Sequence, residues 1–337
     1  MKKICIIYTG GTIGMVPTEN GFAPKSGYFG NQLRSIRDLG SADMPAWDFV
    51  EFSPLLDSSN IAYEQWNEIA AAIETRYDAY DGFVVLHGTD TMAYSASALS
   101  FMLEGLNKPV IFTGSQIPLC ELRSDGMDNL VTSVFIAGQG KVREVCLYFG
   151  GRLLRGNRAV KASADNLIAF ESPNYPPLAA AGIDIRYHDE LLRNETAADF
   201  RAVKVKASGI GVIKVFPGIN FDLFQPIFTR ELDAIVLETF GTGNIPDYDG
   251  SLISLIERAA ANGTIVCVCT QCAQGTVRLG AYETSSALAR AGAVSGYNMT
   301  TEATVAKLYY LFSIGLDRES IRKSMEQDLR GEVNITK

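Results

Sequence analysis

Short apolar runs, each closing on small polar residues beside a tight turn, punctuate this chain. Residues 4–8 lead into Thr9-Gly10-Gly11-Thr12, residues 83–86 into His87-Gly88-Thr89-Asp90, and residues 110–112 into Thr113-Gly114-Ser115-Gln116. Further on, residues 235–237 lead into Glu238-Thr239-Phe240-Gly241 and residues 265–268 into Cys269-Thr270-Gln271. The runs are continuous rather than alternating, which predicts strands covered on both faces, as in a parallel sheet. Between them lie helical patterns. Residues 64–77 place Trp66, Ile69, Ala70, Ile73 and Tyr77 at helical spacing, and residues 91–106 are rich in Ala, Met and Leu up to Asn107-Lys108-Pro109. Residues 252–261 end at Asn262-Gly263, and residues 301–313 end near Gly315, both helix-stop signals.

Strands alternating with helices define an α/β chain with right-handed crossovers. The pattern breaks where Arg186-Tyr187-His188-Asp189-Glu190 opens a polar stretch that runs through Asn194-Glu195-Thr196. A strand over residues 209–216 follows. The expected organisation is a larger domain over residues 1–190, a linker over 191–208 and a smaller α/β domain over 209–337. The larger domain is expected to hold a mostly parallel sheet flanked by helices, and the smaller one to be Rossmann-like. No internal repeat or low-complexity tract is visible.

Composition narrows the function classes. Of 337 residues, 47% are hydrophobic and 20% charged, a balance that supports a buried core. The net charge is −8, and the 30 Lys and Arg are scattered, so no nucleic-acid footprint or basic membrane anchor is expected. The first apolar run ends at Thr9-Gly10-Gly11, too early for a secretory signal, and no run is long enough to span a membrane. The six cysteines, Cys5, Cys120, Cys146, Cys267, Cys269 and Cys272, fall mostly within apolar runs and read as reduced thiols. Cys267-x-Cys269-x-x-Cys272 has no fourth ligand nearby, and the two histidines, His87 and His188, are distant. No metal site is expected.

In open α/β sheets ligands bind beyond the carboxyl ends of the strands, where three of these turns bring hydroxyls: Thr9 and Thr12, Thr89, and Thr113 with Ser115. Gly and Thr also simply make good turns, and each turn alone has that plainer explanation. A nucleotide site fits poorly. Gly10-Gly11-Thr12-Ile13-Gly14 is neither G-x-G-x-x-G nor a P-loop, and Pro17 and Gly21 follow it instead of a helix. Acyl transfer fits better, because a threonine hydroxyl becomes a nucleophile once a neighbour removes its proton. Thr89-Asp90 supplies a second hydroxyl with a carboxylate. Lys161, in Arg155-Gly156-Asn157-Arg158-Ala159-Val160-Lys161, is a candidate proton acceptor. A lone lysine is otherwise a solvated surface residue.

Tyr8-Thr9-Gly10-Gly11-Thr12-Ile13-Gly14, Leu86-His87-Gly88-Thr89-Asp90-Thr91-Met92 and Thr113-Gly114-Ser115-Gln116 together resemble the bacterial-type L-asparaginases, the cytoplasmic type I branch above all. Leu56-Asp57-Ser58-Ser59, Arg123-Ser124-Asp125-Gly126, Arg155-Gly156-Asn157-Arg158, Thr270-Gln271-Cys272 and Leu329-Arg330-Gly331-Glu332 extend the resemblance over essentially the whole chain. It implies that Thr12 attacks the side-chain amide of L-asparagine, releasing ammonia and leaving an ester that water hydrolyses. Thr89, Asp90 and Lys161 match the second catalytic cluster. Ser58 and Asp90 match residues that hold the substrate's α-carboxylate and α-amino groups, with Asp57 and Ser59 beside them, and backbone N–H groups near Thr89 face the oxyanion.

Tyr282 and Asn244 match positions near a neighbouring subunit's active site, so a homodimer or homotetramer is implied, along with a cytoplasmic location and no cofactor. Three positions depart from the pattern. Phe22 stands where the family usually carries a loop tyrosine that helps activate the first threonine, with Tyr28 the nearby hydroxyl that could substitute. Val160 and Glu238 stand where a cytoplasmic relative has Thr and Arg in a regulatory asparagine site. Two other functions suit the same fold. One is a non-catalytic amino-acid-binding sensor, for which Phe22 speaks. The other is a tRNA-dependent amidotransferase subunit, whose extra N-terminal domain precedes the point at which this chain starts.

Overall fold

The computed structural model describes residues 1–228, 232–246, 250–280 and 283–335. The chain divides into two compact units, Met1–Lys204 and Val205–Lys337. The first begins with strand β1 (Lys3–Gly10), the hairpin of β2 (Met15–Thr18) and β3 (Gly21–Pro24), and helix α1 (Phe29–Ser35). It continues with β4 (Ala46–Leu56), α2 (Tyr63–Glu74), β5 (Gly82–Leu86), α3 (Met92–Met102), β6 (Leu103–Glu104) and β7 (Val110–Thr113). Helix α4 (Gly126–Gln139), β8 (Val145–Phe149), β9 (Arg152–Arg155), β10 (Val160–Lys161) and β11 (Phe170–Glu171) follow. Strands β12 (Ala179–Ala181), β13 (Ile185–Tyr187) and β14 (Arg201–Ala202) complete the unit.

Eight strands form its main sheet in the order β13-β12-β9-β8-β7-β5-β1-β4. The five strands from β4 to β8 pair in parallel, and the pairs from β8 to β13 are antiparallel. Every residue of β5 is buried, as are Ile4–Gly10 of β1, so the expected two-sided cover is present. On one face Ile4, Ile6, Tyr8, Val84, Leu86 and Ile111 share a core with Leu130, Val134 and Ala137 of α4. Cys5, Ile7, Val85 and Phe112, at the alternate positions, are equally buried, and α3 packs on β7 and β8.

The helix expected over residues 91–106 stops at Met102, because Leu103 and Glu104 turn out to pair with Ala202 and Arg201. Gly105 makes the reversal with φ of 66°, and a side chain there would collide with the backbone of Asp199. The same segment is tied down further by Phe200, stacked on Tyr77 at 3.5 Å between ring centroids.

The second unit holds a parallel four-stranded sheet of β15 (Ile210–Lys214), β16 (Ala234–Thr239), β17 (Ile265–Thr270) and β18 (Val294–Ser295), in that order. Helices α5 (Ser251–Ala261), α6 (Glu283–Arg290), α7 (Thr301–Ser313) and α8 (Arg318–Met325) complete it. Cys267 and Cys269 are buried thiols of the β17 core.

The C-terminal turn of this unit is held by an ion pair out of contact with water. Lys307 Nζ of α7 lies 2.6 Å from Glu332 Oε1, and both side chains are fully buried. The Lys307 ammonium also donates to the Met325 and Gln327 carbonyls, while the Glu332 carboxylate accepts from the N–H groups of Leu329 and Arg330. Burial opposes ionisation of Glu332, but Lys307 and these N–H groups outweigh it and hold the carboxyl below its usual range. Lys307→Met therefore strands a buried carboxylate. The variant should lose about 3–5 kcal/mol of unfolding free energy in denaturant titrations near neutral pH. The deficit should shrink as acid protonates Glu332, since a depressed carboxylate pKa stabilises above that pKa and ceases to do so as pH falls through it.

Candidate functional site

The site grows from three strand ends of the first unit. Strand β1 lies between β4 and β5, with Tyr8 paired to Glu51 on one side and to Leu86 on the other, and Leu86 pairs in turn with Thr113 of β7. Past these positions the backbones close on one another. Gly10 and Gly11 adopt φ of 132° and 89°. A Cβ on Gly10 would strike Leu56, one on Gly11 would strike the backbone of Gly88, and one on Gly88 would strike the Ser58 side chain. Glycine is thus required where the turns bearing Thr12, Ser58 and Thr89 meet.

Around Thr89 the polar groups form a connected set. Lys161, brought in on β10, donates from Nζ to Thr89 Oγ1 at 3.0 Å and to Asp90 Oδ1 at 2.6 Å. The Thr89 hydroxyl donates in turn to Gln116 Oε1 at 3.1 Å. Gln116 is itself fixed: its amide donates to the Ala164 carbonyl, and its backbone N–H donates to the Asp125 carboxylate. Lys161 is therefore no solvated surface lysine; its side chain is 20% exposed and ion-paired. Asp90 stays open to solvent, and Thr89 is buried. Among the described residues, the N–H groups of Thr89 and Asp90 donate to no protein acceptor, which leaves them available to a ligand.

Thr12 opens a short 3-10 turn ending at Gly14 and is half-buried. Among the described residues no side chain hydrogen-bonds to its hydroxyl, so the structure supplies Thr12 with neighbours but not with a bound base. Phe22, paired with Pro17 in the β2–β3 hairpin, is 49% exposed. The Tyr28 hydroxyl, from the residue that precedes α1, accepts from Gln32 Nε2 at 3.2 Å.

Ser58 is buried, with its backbone carbonyl accepting from Thr91 Oγ1 at 2.7 Å; Asp57 caps the following turn by accepting from the Ser59 N–H. Other hydroxyls of the glycine turns face the protein. Thr9 donates to the Leu86 carbonyl, Thr113 to Tyr148 and Ser115 to Ile117. Thr9 and Thr113 thereby join neighbouring strand ends, and Ser115 closes its own turn.

Gln116 is the residue whose part the sequence analysis left unassigned. Its signal was register. Gln116 stands three residues past Thr113, as Thr89 stands three past Leu86, and Thr113 and Leu86 are partners. His87 is wholly buried, and burial pulls its imidazole down to about 4, so it is neutral and its Nδ1 carries the proton given to the Gly88 carbonyl at 2.7 Å.

In the second unit, Asn244 closes a tight turn with Phe240, and the Glu238 carboxylate accepts from Thr301 Oγ1 at 2.6 Å. Val160 is half-buried on β10. Tyr282 lies outside the described residues.

Hydroxyls and an ion-paired lysine gathered beyond parallel strand ends are groups that acyl transfer uses. Residues 3–193 match the asparaginase N-terminal domain family, and residues 209–325 match the glutaminase/asparaginase C-terminal domain family. The chain is 47% identical over 332 residues to L-asparaginase 1 of Escherichia coli (strain K12), covering 98% of each. The crystal structure of L-asparaginase I from Vibrio cholerae superposes with a TM-score of 0.92 at 45% identity, over 99% of both chains. The thermostable L-asparaginase from Thermococcus kodakarensis gives a TM-score of 0.90 at 33% identity, over 99% of this chain and 100% of that one. The chain belongs to the asparaginase family.

Proposed function

We propose that this protein hydrolyses L-asparagine to L-aspartate and ammonia, with Thr12 as the nucleophile. The observation that carries the reading is the backbone contact of Gly11 with Gly88, which sets the Thr12 turn against the Thr89-Asp90-Lys161 cluster. The Thr12 oxygen adds to the side-chain carbonyl of the substrate, its proton passing to a base. The carbon–nitrogen bond then breaks, and the amine takes a proton to leave as ammonia. Water next adds to the ester and returns the proton to Thr12, which splits one difficult step into two. The unpaired N–H groups of Thr89 and Asp90 suit the oxyanion that forms in each half.

Lys161 rests as an ammonium donating to Thr89 and Asp90. Its two bonds place it beside any proton that moves through the Thr89 hydroxyl, with Asp90 at 2.6 Å holding it there. Ser58 and Asp90, with Asp57 and Ser59 beside them, take the α-carboxylate and α-amino groups of the substrate. The zwitterion needs such partners to leave water. No helix among the described residues is long and apolar enough to cross a membrane. A cytoplasmic enzyme acting as a homodimer or homotetramer, with Asn244 near a neighbouring site, completes the reading.

Steady-state ammonia release from L-asparagine and from L-glutamine tests it. L-Asparagine should be the better substrate, by a factor consistent with the about 1–3 kcal/mol that one methylene is worth in a pocket. Binding of L-asparagine without ammonia release would replace the enzyme with an amino-acid sensor.

A further inference from the structure

The hairpin of β2 and β3 leaves the Thr12–Gly14 turn and rejoins the body of its unit at Ser26 and Gly27, just before α1. Its departure rests on Tyr8. The backbone at Gly14 lies so close over the Tyr8 hydroxyl that a side chain there would collide with it. Its return rests on Glu51, whose Oε1 accepts from Ser26 Oγ at 2.8 Å and from the Gly27 N–H at 2.7 Å. Tyr8 and Glu51 are register partners across the parallel pair of β1 and β4. One rung of the main sheet thus holds both ends of the hairpin.

The rung is rigid. Tyr8 is fully buried, its ring 4.6 Å from that of Phe29 and 6.2 Å from that of Phe49, centroid to centroid. Burial, and after it the Glu51 charge, pushes the Tyr8 hydroxyl up, so it stays protonated at working pH. Both the Tyr8 hydroxyl and Glu51 Oε2 are buried without a hydrogen-bond partner among the described residues. Glu51 Oε1, by contrast, takes both bonds from the hairpin's return at Ser26 and Gly27.

We infer that Glu51 is a positioning residue for the reaction at Thr12, tying Ser26 and Gly27 so that the hairpin is seated against the turn that carries the nucleophile. Glu51 touches no reacting atom. It acts through β3, which packs on the Thr12–Gly14 turn, and the inference rests on the reading of Thr12 as the nucleophile. Without the tie, the hairpin's return loses both hydrogen bonds to the sheet, and the turn it packs on can shift by a fraction of an ångström. Such displacements act on kcat more than on substrate affinity, because they spoil the geometry of attack.

The test compares Glu51→Leu with Glu51→Gln in the full chain, since glutamine keeps an acceptor oxygen for both donors. Amide hydrogen exchange over residues 15–28, kcat and KM for ammonia release from L-asparagine, and thermal stability are measured together. Glu51→Leu should exchange faster in the hairpin alone and lose roughly tenfold or more in kcat with KM changed less. Glu51→Gln should recover both to within about fivefold of the parent, the difference between a neutral and a charged acceptor. Ser26→Ala, which removes one of the two bonds and leaves the buried carboxylate in place, serves if Glu51→Leu does not fold, and should show a smaller loss of the same kind. The inference fails if hairpin exchange is unchanged in Glu51→Leu, if exchange rises while kcat holds, or if Gln is as impaired as Leu. A parent protein that releases no ammonia would overturn the assignment of the reaction instead, and the exchange data would still decide whether Glu51 seats the hairpin.

Discussion

Thr12→Ala should release no measurable ammonia from L-asparagine while melting at the parent temperature. The hydroxyl is half-buried and no side chain of the described residues hydrogen-bonds to it, so its removal opens little cavity and strands no partner. Chemically the loss is complete for the covalent route. Removing a hydroxyl nucleophile from an acyl-transfer enzyme lowers kcat on the order of 10⁶, and what remains comes from binding and oxyanion donors alone. Thr12→Ser should keep part of the activity, because the reacting oxygen survives while the γ-methyl that restricts its rotamer is lost. Full turnover in Thr12→Ala would remove Thr12 from the mechanism and hand the role to the other threonine of the site, Thr89.

Lys161→Met carries the second largest expected effect, about 10²–10⁴ in kcat, the usual worth of a positioned proton-transfer group. The substitution keeps the length of the side chain and removes the two hydrogen bonds to Thr89 and Asp90. Asp90 is 63% exposed and can be rehydrated, so stability should change little. Charge and proton transfer are separated by Lys161→Arg. A guanidinium preserves the positive charge but gives up no proton at working pH. If Lys161 moves a proton, Arg should be nearly as poor as Met. If it only supplies charge, Arg should restore most of kcat. Stopped-flow ammonia release, resolving the first turnover from later ones, assigns the effect to ester formation or ester hydrolysis.

How much of this was legible beforehand differs from residue to residue. The central strands could be read from composition alone, because residues 4–8 and 83–86 are apolar at every position and only a strand buried on both faces uses such a run. The antiparallel edge could not. Ala179–Ala181 and Ile185–Tyr187 are three residues each, too short for any periodicity, and they become strands only because β9 offers an unpaired edge. The α3 helix was visible and its end was not, since local propensity runs on past Met102 while pairing with residues 201–202 stops it.

The same division runs through the site. The amino-acid sequence by itself determined the strand–glycine–hydroxyl turns, the α/β order and the residue types available for acyl transfer, because each depends on neighbours within a few positions. Tertiary structure alone decided that Lys161 reaches across 72 residues to Thr89, that Gln116 accepts a hydrogen bond from the Thr89 hydroxyl, and that Thr9 and Thr113 turn their hydroxyls inward. It likewise decided that Tyr8 and Glu51 share a rung beneath the hairpin. Those are outcomes of register and side-chain direction between segments far apart in the sequence. A hydroxyl on a glycine turn looks the same in a sequence whether it meets a carbonyl or a substrate, and only the neighbouring strand's position settles which.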